Sequence, residues 1–245
     1  MLLAIDIGNT NISSAIFKGK KLTKKFDIPV KAYSKAKLIK KLGNNSKISD
    51  ILICSVVPKL TAKLQGDLKR LTGKKPYVIG KDVIVPIKNY YRHPKQLGQD
   101  RLLAAYAASM LYTAPLIVID SGTAITLDLI SRNKTYLGGL ILPGMDISLD
   151  ALKEKTALLP RIKLSQPKGL IGRDTKNSIL SGIVFGVSAS IKELINRIKQ
   201  RIGKNTAVIG TGGNIALIKS NLGVKIKIDK DLALKGINLI YNNEI

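Results

Sequence analysis

One short pattern occurs twice along this chain, and that repetition limits its fold more than any other feature. Leu3-Ala4-Ile5-Asp6-Ile7-Gly8-Asn9-Thr10-Asn11 stands near the start, and Ile117-Val118-Ile119-Asp120-Ser121-Gly122-Thr123-Ala124-Ile125-Thr126 near the middle. Each copy ends an apolar β run on an acidic residue, sets a glycine two positions later, and passes through small polar residues into a second apolar run. A tight hairpin aimed at an anion has this form. Gly8 and Gly122 are expected to take backbone angles closed to other residues and to turn N–H groups toward phosphate oxygens. A carboxylate beside polyphosphate requires a cation or a hydrogen-bonded water, so Asp6 and Asp120 each imply one. A single Asp-x-Gly is an ordinary hairpin turn. Two copies, at positions 6 and 120 of 245 residues, read instead as two halves that face one nucleotide.

The rest of the chain follows that division. Hairpin strands are predicted at 2–6 and 12–17, a short helix at 35–42, a strand at 51–57, helical spacing over 59–72 and a strand at 77–79. Residues 86–98 lack periodicity and read as a loop, and Asp100 opens a helix through Leu111. The pattern restarts after Pro115 with a hairpin over 116–130. Helices are expected at 145–153, 174–202 and 214–220, with a strand at 207–209 leading into Gly210-Thr211-Gly212-Gly213. Gly182 and Gly186 predict close helix packing along 174–202. The fold class is therefore α/β, with an N-terminal domain at 1–114 and a C-terminal domain at 115–245 packed around a cleft.

Composition bears on the partners. With 41 Lys and Arg against 16 Asp and Glu, the net charge of +25 invites a nucleic-acid or regulatory role through counterion release. Lysines are spread over the whole chain and outnumber arginines, aromatic residues make up 4%, and tryptophan is absent, so base-reading and base-stacking groups are scarce. No specific nucleic-acid partner is expected. The one cysteine, Cys54, lies in an apolar run and reads as a packed thiol, without a disulfide or a cysteine metal cage. No run approaches 18 consecutive apolar residues and no leader pattern precedes the first strand, so the expected location is cytoplasmic, with no membrane partner.

The segment between the hairpins narrows the chemistry. Tyr91-Arg92-His93-Pro94-Lys95-Gln96-Leu97-Gly98-Gln99-Asp100-Arg101 sets a carboxylate and a guanidinium side by side at a loop-to-helix junction. Taken alone, Asp100 reads as a helix N-cap and Arg101 as a surface arginine. Together with Asp-Ile-Gly-Asn-Thr, Asp-Ser-Gly-Thr-Ala, Gly-Gly-Leu-Ile-Leu-Pro-Gly and Thr-Gly-Gly-Asn, the segment closely resembles the type III pantothenate kinases, from Asp6 to about Gly236. The resemblance implies two duplicated actin-like (ribonuclease H-like) domains, each a mixed sheet flanked by helices. It also implies ATP-dependent phosphorylation of pantothenate to 4′-phosphopantothenate, the first step of coenzyme A synthesis.

By the same resemblance Asp100 is the catalytic base, while Tyr91, Gly98, Gln99, Asp100, Arg101 and Thr175 contact substrate. Tyr90, beside Tyr91, leaves that register open. Asp6, Ile7, Gly8, Asn9, Thr10, Asn11, Ile12 and Ser13 wrap the ATP phosphates, with Thr123 reaching them from the second hairpin. Asp6 holds Mg²⁺ through water, Asp120 a monovalent cation (K⁺ or NH₄⁺), and the 210–213 turn lies on the adenosine side. The family pattern has Asn where this chain has His93, which is assigned no catalytic role. A homodimer is implied, with Ile179, Ile183, Val187, Ile191 and Leu194 as the candidate apolar stripe. The competing readings are a related small-molecule kinase of this fold, or a basic regulatory protein that uses the fold for binding.

Overall fold

A computed structural model describes residues 1–43 and 47–244 of the chain. The first hairpin forms as its alternation requires. Strands β1 (Leu2–Ile7) and β2 (Asn11–Lys18) pair antiparallel, with Asp6 opposite Ser13. β3 (Lys21–Pro29) continues the meander, burying only Phe26 and Ile28, too few apolar positions to announce a strand in the sequence. Helix α1 (Lys35–Leu42) follows, its start capped by the Ser34 hydroxyl, which accepts from the Lys37 N–H at 3.2 Å. β4 (Asp50–Ser55) then pairs parallel to β1. Pro58 opens helix α2 (Pro58–Thr72), where its missing N–H costs nothing, and β5 (Tyr77–Val78) adds parallel to β4. After the predicted loop comes α3 (Gln99–Leu111). The sheet order is β3-β2-β1-β4-β5.

The second half repeats this plan. β6 (Leu116–Ser121), β7 (Ala124–Ile130) and β8 (Tyr136–Pro143) form a meander, followed by α4 (Met145–Lys155) and α5 (Thr175–Ile202). β9 (Ala207–Thr211) pairs parallel to β6, α6 (Ile215–Leu222) follows, and β10 (Lys227–Ile228) pairs parallel to β9. The order β10-β9-β6-β7-β8 is the first sheet read in reverse, so β6 corresponds to β1 and β9 to β4. The chain is thus a duplicated α/β fold of two mixed five-stranded sheets with flanking helices.

Side chains alternate across a strand, and this sorts the faces. In the first sheet Leu3, Ile5, Ile51 and Ile53 join a core with Leu38, Leu42, Leu64 and Leu68 from α1 and α2. Asp6 and Cys54 have the opposite parity and share the other face, and α3 packs against β4. In the second sheet Ile117 and Ile119 meet Met145, Val184, Ile191 and Ile215 from α4, α5 and α6, leaving Asp120 on the opposite parity.

Two compact units result, one of Met1–Leu111 with Asp231–Ile245 and one of Tyr112–Lys230. This departs from the expected 115–245 division, because the last helix, α7 (Leu232–Glu244), packs on α3 and β1. Gly236 makes the close approach possible, since a Cβ there would lie 2.9 Å from Leu103 Cδ1. Two readings of α5 also change. Gly182 and Gly186 are exposed with nothing within 4 Å of an added Cβ, so they do not mark close helix packing within the described residues. The fully buried line of α5 is Leu180, Val184, Ile191, Ile195 and Ile198, while Ile183, Val187 and Leu194 are half-buried beside it. The helix is long and apolar enough to cross a membrane by length and composition alone, but its buried line belongs to the core of the second unit.

Candidate active site

Asp6 ends the alternation of β1 on the face that α3 covers, directly beside Cys54 of β4. The Cys54 thiol is fully buried and its pKa is pushed well up, first by burial and then by the negative charges of Asp6 and Asp100. Both carboxylates therefore lie within electrostatic reach of one sulfur atom. The hairpin tip is closed by the Gly8 N–H donating to the Asn11 carbonyl at 3.0 Å, and the Val30 N–H donates to the Thr10 carbonyl at 2.8 Å. Ile7 and Ile12 are buried beneath the tip, whereas Asn9, Thr10 and Asn11 are exposed. The Ser13 hydroxyl donates to Asp27 Oδ1 at 2.6 Å, which ties β2 to β3.

The loop-to-helix junction differs from the expected cap. The Leu102 N–H donates to the Gly98 carbonyl, so Gly98 holds the cap position and Asp100 lies inside the first turn of α3. Asp100 Oδ1 accepts from the Arg101 N–H at 2.9 Å. A Cβ on Gly98 would collide with Asp100 Oδ1 and stand 3.9 Å from Arg101 Cδ. Glycine at 98 thus leaves the space that the Asp100 carboxylate occupies. The Gln99 side chain packs against Gly80, whose φ of 85° disfavours other residues and whose added Cβ would lie 2.6 Å from Gln99 Cδ. Tyr91 is half-buried and its N–H donates to Asn89 Oδ1 at 3.3 Å, whereas Tyr90 is 63% exposed beneath Lys88. His93 is exposed ahead of a single 3₁₀ turn at Pro94–Gln96.

In the second unit Asp120 pairs with Thr211 of β9, and the hairpin tip is closed by the Gly122 N–H donating to the Ala124 carbonyl at 3.0 Å. Neither Gly8 nor Gly122 takes a positive φ, which corrects the expectation for both. The unusual backbone belongs to Gly212, at φ 89°. A Cβ there would collide with Asp120 Oδ1 and lie 2.5 Å from the Ser121 carbonyl. On another side, a Cβ on Gly144 would collide with the Thr123 carbonyl and lie 2.7 Å from that of Gly122. The exposed Thr123 and the Asp120 carboxylate are therefore held by two bare glycine turns. Asn214 joins those turns: its N–H donates to the Ser121 carbonyl at 3.0 Å and its Nδ2 to Asp146 Oδ2 at 2.9 Å. Sequence reading missed Gly144, Asn214 and Asp146 as parts of one frame, because they stand 24 to 94 residues from Asp120.

Thr175 is the exposed first residue of α5. The cap is Asp174, which accepts from the Asn177 N–H at 2.8 Å and the Asn177 amide at 2.6 Å. These bonds, the backbone one foremost, hold the Asp174 carboxyl below the usual carboxylate range. A Cβ on Gly172 would collide with the Ser178 N–H, so the preceding loop lies directly on the first turn of α5.

Among the described residues no three of His, Cys, Asp and Glu gather as a metal cage. Single carboxylates at Asp6 and Asp120 fit other arrangements. Mg²⁺ is commonly held by one or two carboxylates plus substrate phosphates, and a weakly hydrated monovalent ion needs one carboxylate with carbonyl oxygens.

A family model described as type III pantothenate kinase matches residues 2–197. A type III pantothenate kinase of Persephonella marina is 39% identical over 255 residues, covering 99% of this chain and 98% of its own. Among solved structures, a conserved putative Baf family transcriptional activator from Campylobacter jejuni superposes with a TM-score of 0.62 at 23% identity, covering 98% of both chains. A putative 2-dehydro-3-deoxygalactonokinase from Sinorhizobium meliloti reaches 0.58 at 10% identity over 100% of both, which extends the shared fold to sugar kinases.

Proposed function

Because this chain belongs to the type III pantothenate kinase family, its reaction is the phosphorylation of pantothenate by ATP, and we propose that Asp100 is the base of that reaction. One observation carries the assignment. The Asp100 carboxylate, fixed over Gly98 in the first turn of α3, shares the electrostatic field of Cys54 with Asp6, the phosphate-hairpin carboxylate. A primary alcohol is a poor nucleophile until its proton has somewhere to go. As the pantothenate hydroxyl oxygen bonds to the γ-phosphorus, the bond to the ADP oxygen breaks and the hydroxyl proton passes to Asp100.

Arg101, on the next position of the same turn, holds the pantothenate carboxylate through its planar guanidinium. Tyr91, Gly98, Gln99 and Thr175 complete the substrate side. Backbone N–H groups of the tip from Asp6 to Ser13, with Thr123, receive the ATP phosphates. Asp6 holds Mg²⁺ and Asp120 a K⁺ or NH₄⁺ ion, and the chemistry these ions supply is neutralisation of phosphate charge. The chain works in the cytoplasm as a homodimer, joined along α5 at half-buried Ile183 and Val187, each preceded by a bare glycine, Gly182 and Gly186.

The test is ATP turnover with and without pantothenate, in K⁺ and then in Na⁺, for the wild type and Asp100→Asn. Turnover is expected to require pantothenate, to fall in Na⁺, and to drop by about 10²–10⁴-fold in the variant. Pantothenate-independent turnover, or a variant as active as the wild type, would refute the assignment.

A further inference from the structure

Lysines gather around a second concavity of the chain. A cavity of about 430 Å³ opens in the second unit at the N-terminal end of β9, lined by Lys199, Lys204, Lys225 and Lys227 together with Tyr112 and Val208. Its volume lies within the range of small-molecule sites. Its lining on β9 runs from Ala207 to Ile209 and stops two residues, about 7 Å along the strand, short of Thr211, the partner of Asp120. It is therefore separate from the phosphate hairpin.

The chemistry of the lining is one-sided. Four of its residues are lysines and none is acidic. Lys199 alone would be ordinary, since it sits in the last turn of α5, where a cation complements the helix dipole. Lys204, Lys225 and Lys227 lie outside helices and are exposed, Lys199 is half-buried, and none of the four makes an ion pair among the described residues. Like charges around one cavity repel, weakly where water reaches them, and an anion between them is attracted to all four.

The frame is ordered. The Thr206 N–H and hydroxyl both donate to the Gly203 carbonyl, at 3.1 Å and 2.5 Å. The Tyr112 hydroxyl donates to the buried Asp229 Oδ2 at 2.7 Å, which fixes the ring, and Lys227 Nζ stands 4.7 Å from its centroid. Val208, a buried member of the second unit's core, also lines the cavity.

We infer that this lysine-lined cavity is a second anion site, distinct from the ATP phosphate site, that takes a small metabolite bearing a diphosphate group. Lysine ammoniums act as point charges on phosphate oxygens, and four of them match a diphosphate better than a single carboxylate. The volume leaves room for an organic body beside it. The inference is independent of the pantothenate kinase mechanism.

The test is amide NMR during titration with inorganic pyrophosphate, against sodium chloride at matched ionic strength. Amides of 204–209 are expected to shift saturably, with a midpoint of their own, apart from that of the hairpin amides at 8–11 and 122–124. In Lys204→Ala/Lys225→Ala the cavity midpoint should rise about tenfold or more while the hairpin midpoint stays. Lys204→Arg/Lys225→Arg should keep it, which guards against a folding artefact. Shifts that never saturate overturn the inference, as does an equal rise in the distant pair Lys40→Ala/Lys41→Ala, since either would report only the net charge.

Discussion

Gly98 joins local geometry to chemistry at a single residue. Its missing Cβ is the space that Asp100 Oδ1 fills, so Gly98→Ala forces the carboxylate off its position while the first turn of α3 remains capped through the backbone. A displacement of about 1 Å from a productive geometry can cost on the order of 10²-fold in rate. Gly98→Ala is accordingly expected to lower kcat by roughly that factor, with a circular dichroism spectrum like the wild type's. Retained kcat would separate Asp100's position from catalysis. Residue identity at such positions was visible in the sequence, but its reason was not. The resemblance makes Gly98 a substrate contact, and Gly8 and Gly122 read as turns with backbone angles closed to other residues. In the structure the positive φ falls to Gly212, against the Asp120 carboxylate, and to Gly80, against Gln99.

The elements were legible wherever one face is buried against a repeating partner. β1, β2, β4, β6 and β7 follow from their apolar runs, and α1, α2 and α5 from helical spacing. β3 and β10 were not legible, since β3 buries two side chains and β10 spans two residues. The cap of α5 carries a prediction at this scale. Asp174 accepts two hydrogen bonds as a carboxylate, which lowers its pKa in the folded protein. The stabilisation is fully present above the unfolded value of about 4 and is lost as pH falls through the lower folded value. Asp174→Ala should therefore melt below the wild type at pH 7, with the gap closing as pH drops below about 4. A gap that persists unchanged in acid would show that the cap acts without its charge.

At the scale of the molecule, the first unit is built from two separate stretches of chain. α7 buries Leu232, Leu234, Ile237 and Ile240, and its Asn238 and Tyr241 side chains donate to the Gly19 carbonyl and to Asp50. Each such apolar side chain is worth about 1.5–3 kcal/mol, so losing four rivals the roughly 5–15 kcal/mol by which domains are stable. A fragment of residues 1–111 should lack a cooperative denaturant transition, and a peptide of residues 231–245 added in trans should restore one. A fragment that unfolds cooperatively alone would show α7 to be dispensable. Association belongs at this scale too: the wild type should sediment as a dimer and Ile183→Glu as a monomer, and a dimeric variant would place the contact elsewhere than α5.

What the sequence determined by itself is local in the chain: two Asp-x-Gly hairpins, the helix that begins beside Asp100, and the order of motifs that marks the family. Such features are set by the alternation of neighbouring residues and by turn chemistry, which act over a few positions. The tertiary structure alone decided which distant residues meet. It brings Gly144 and Gly212 against the Thr123 and Asp120 tip, Cys54 within electrostatic reach of Asp6 and Asp100, α7 onto α3, and four lysines around one cavity. Those meetings depend on packing between elements far apart in the chain, and a side chain's spacing from its sequence neighbours carries no record of them.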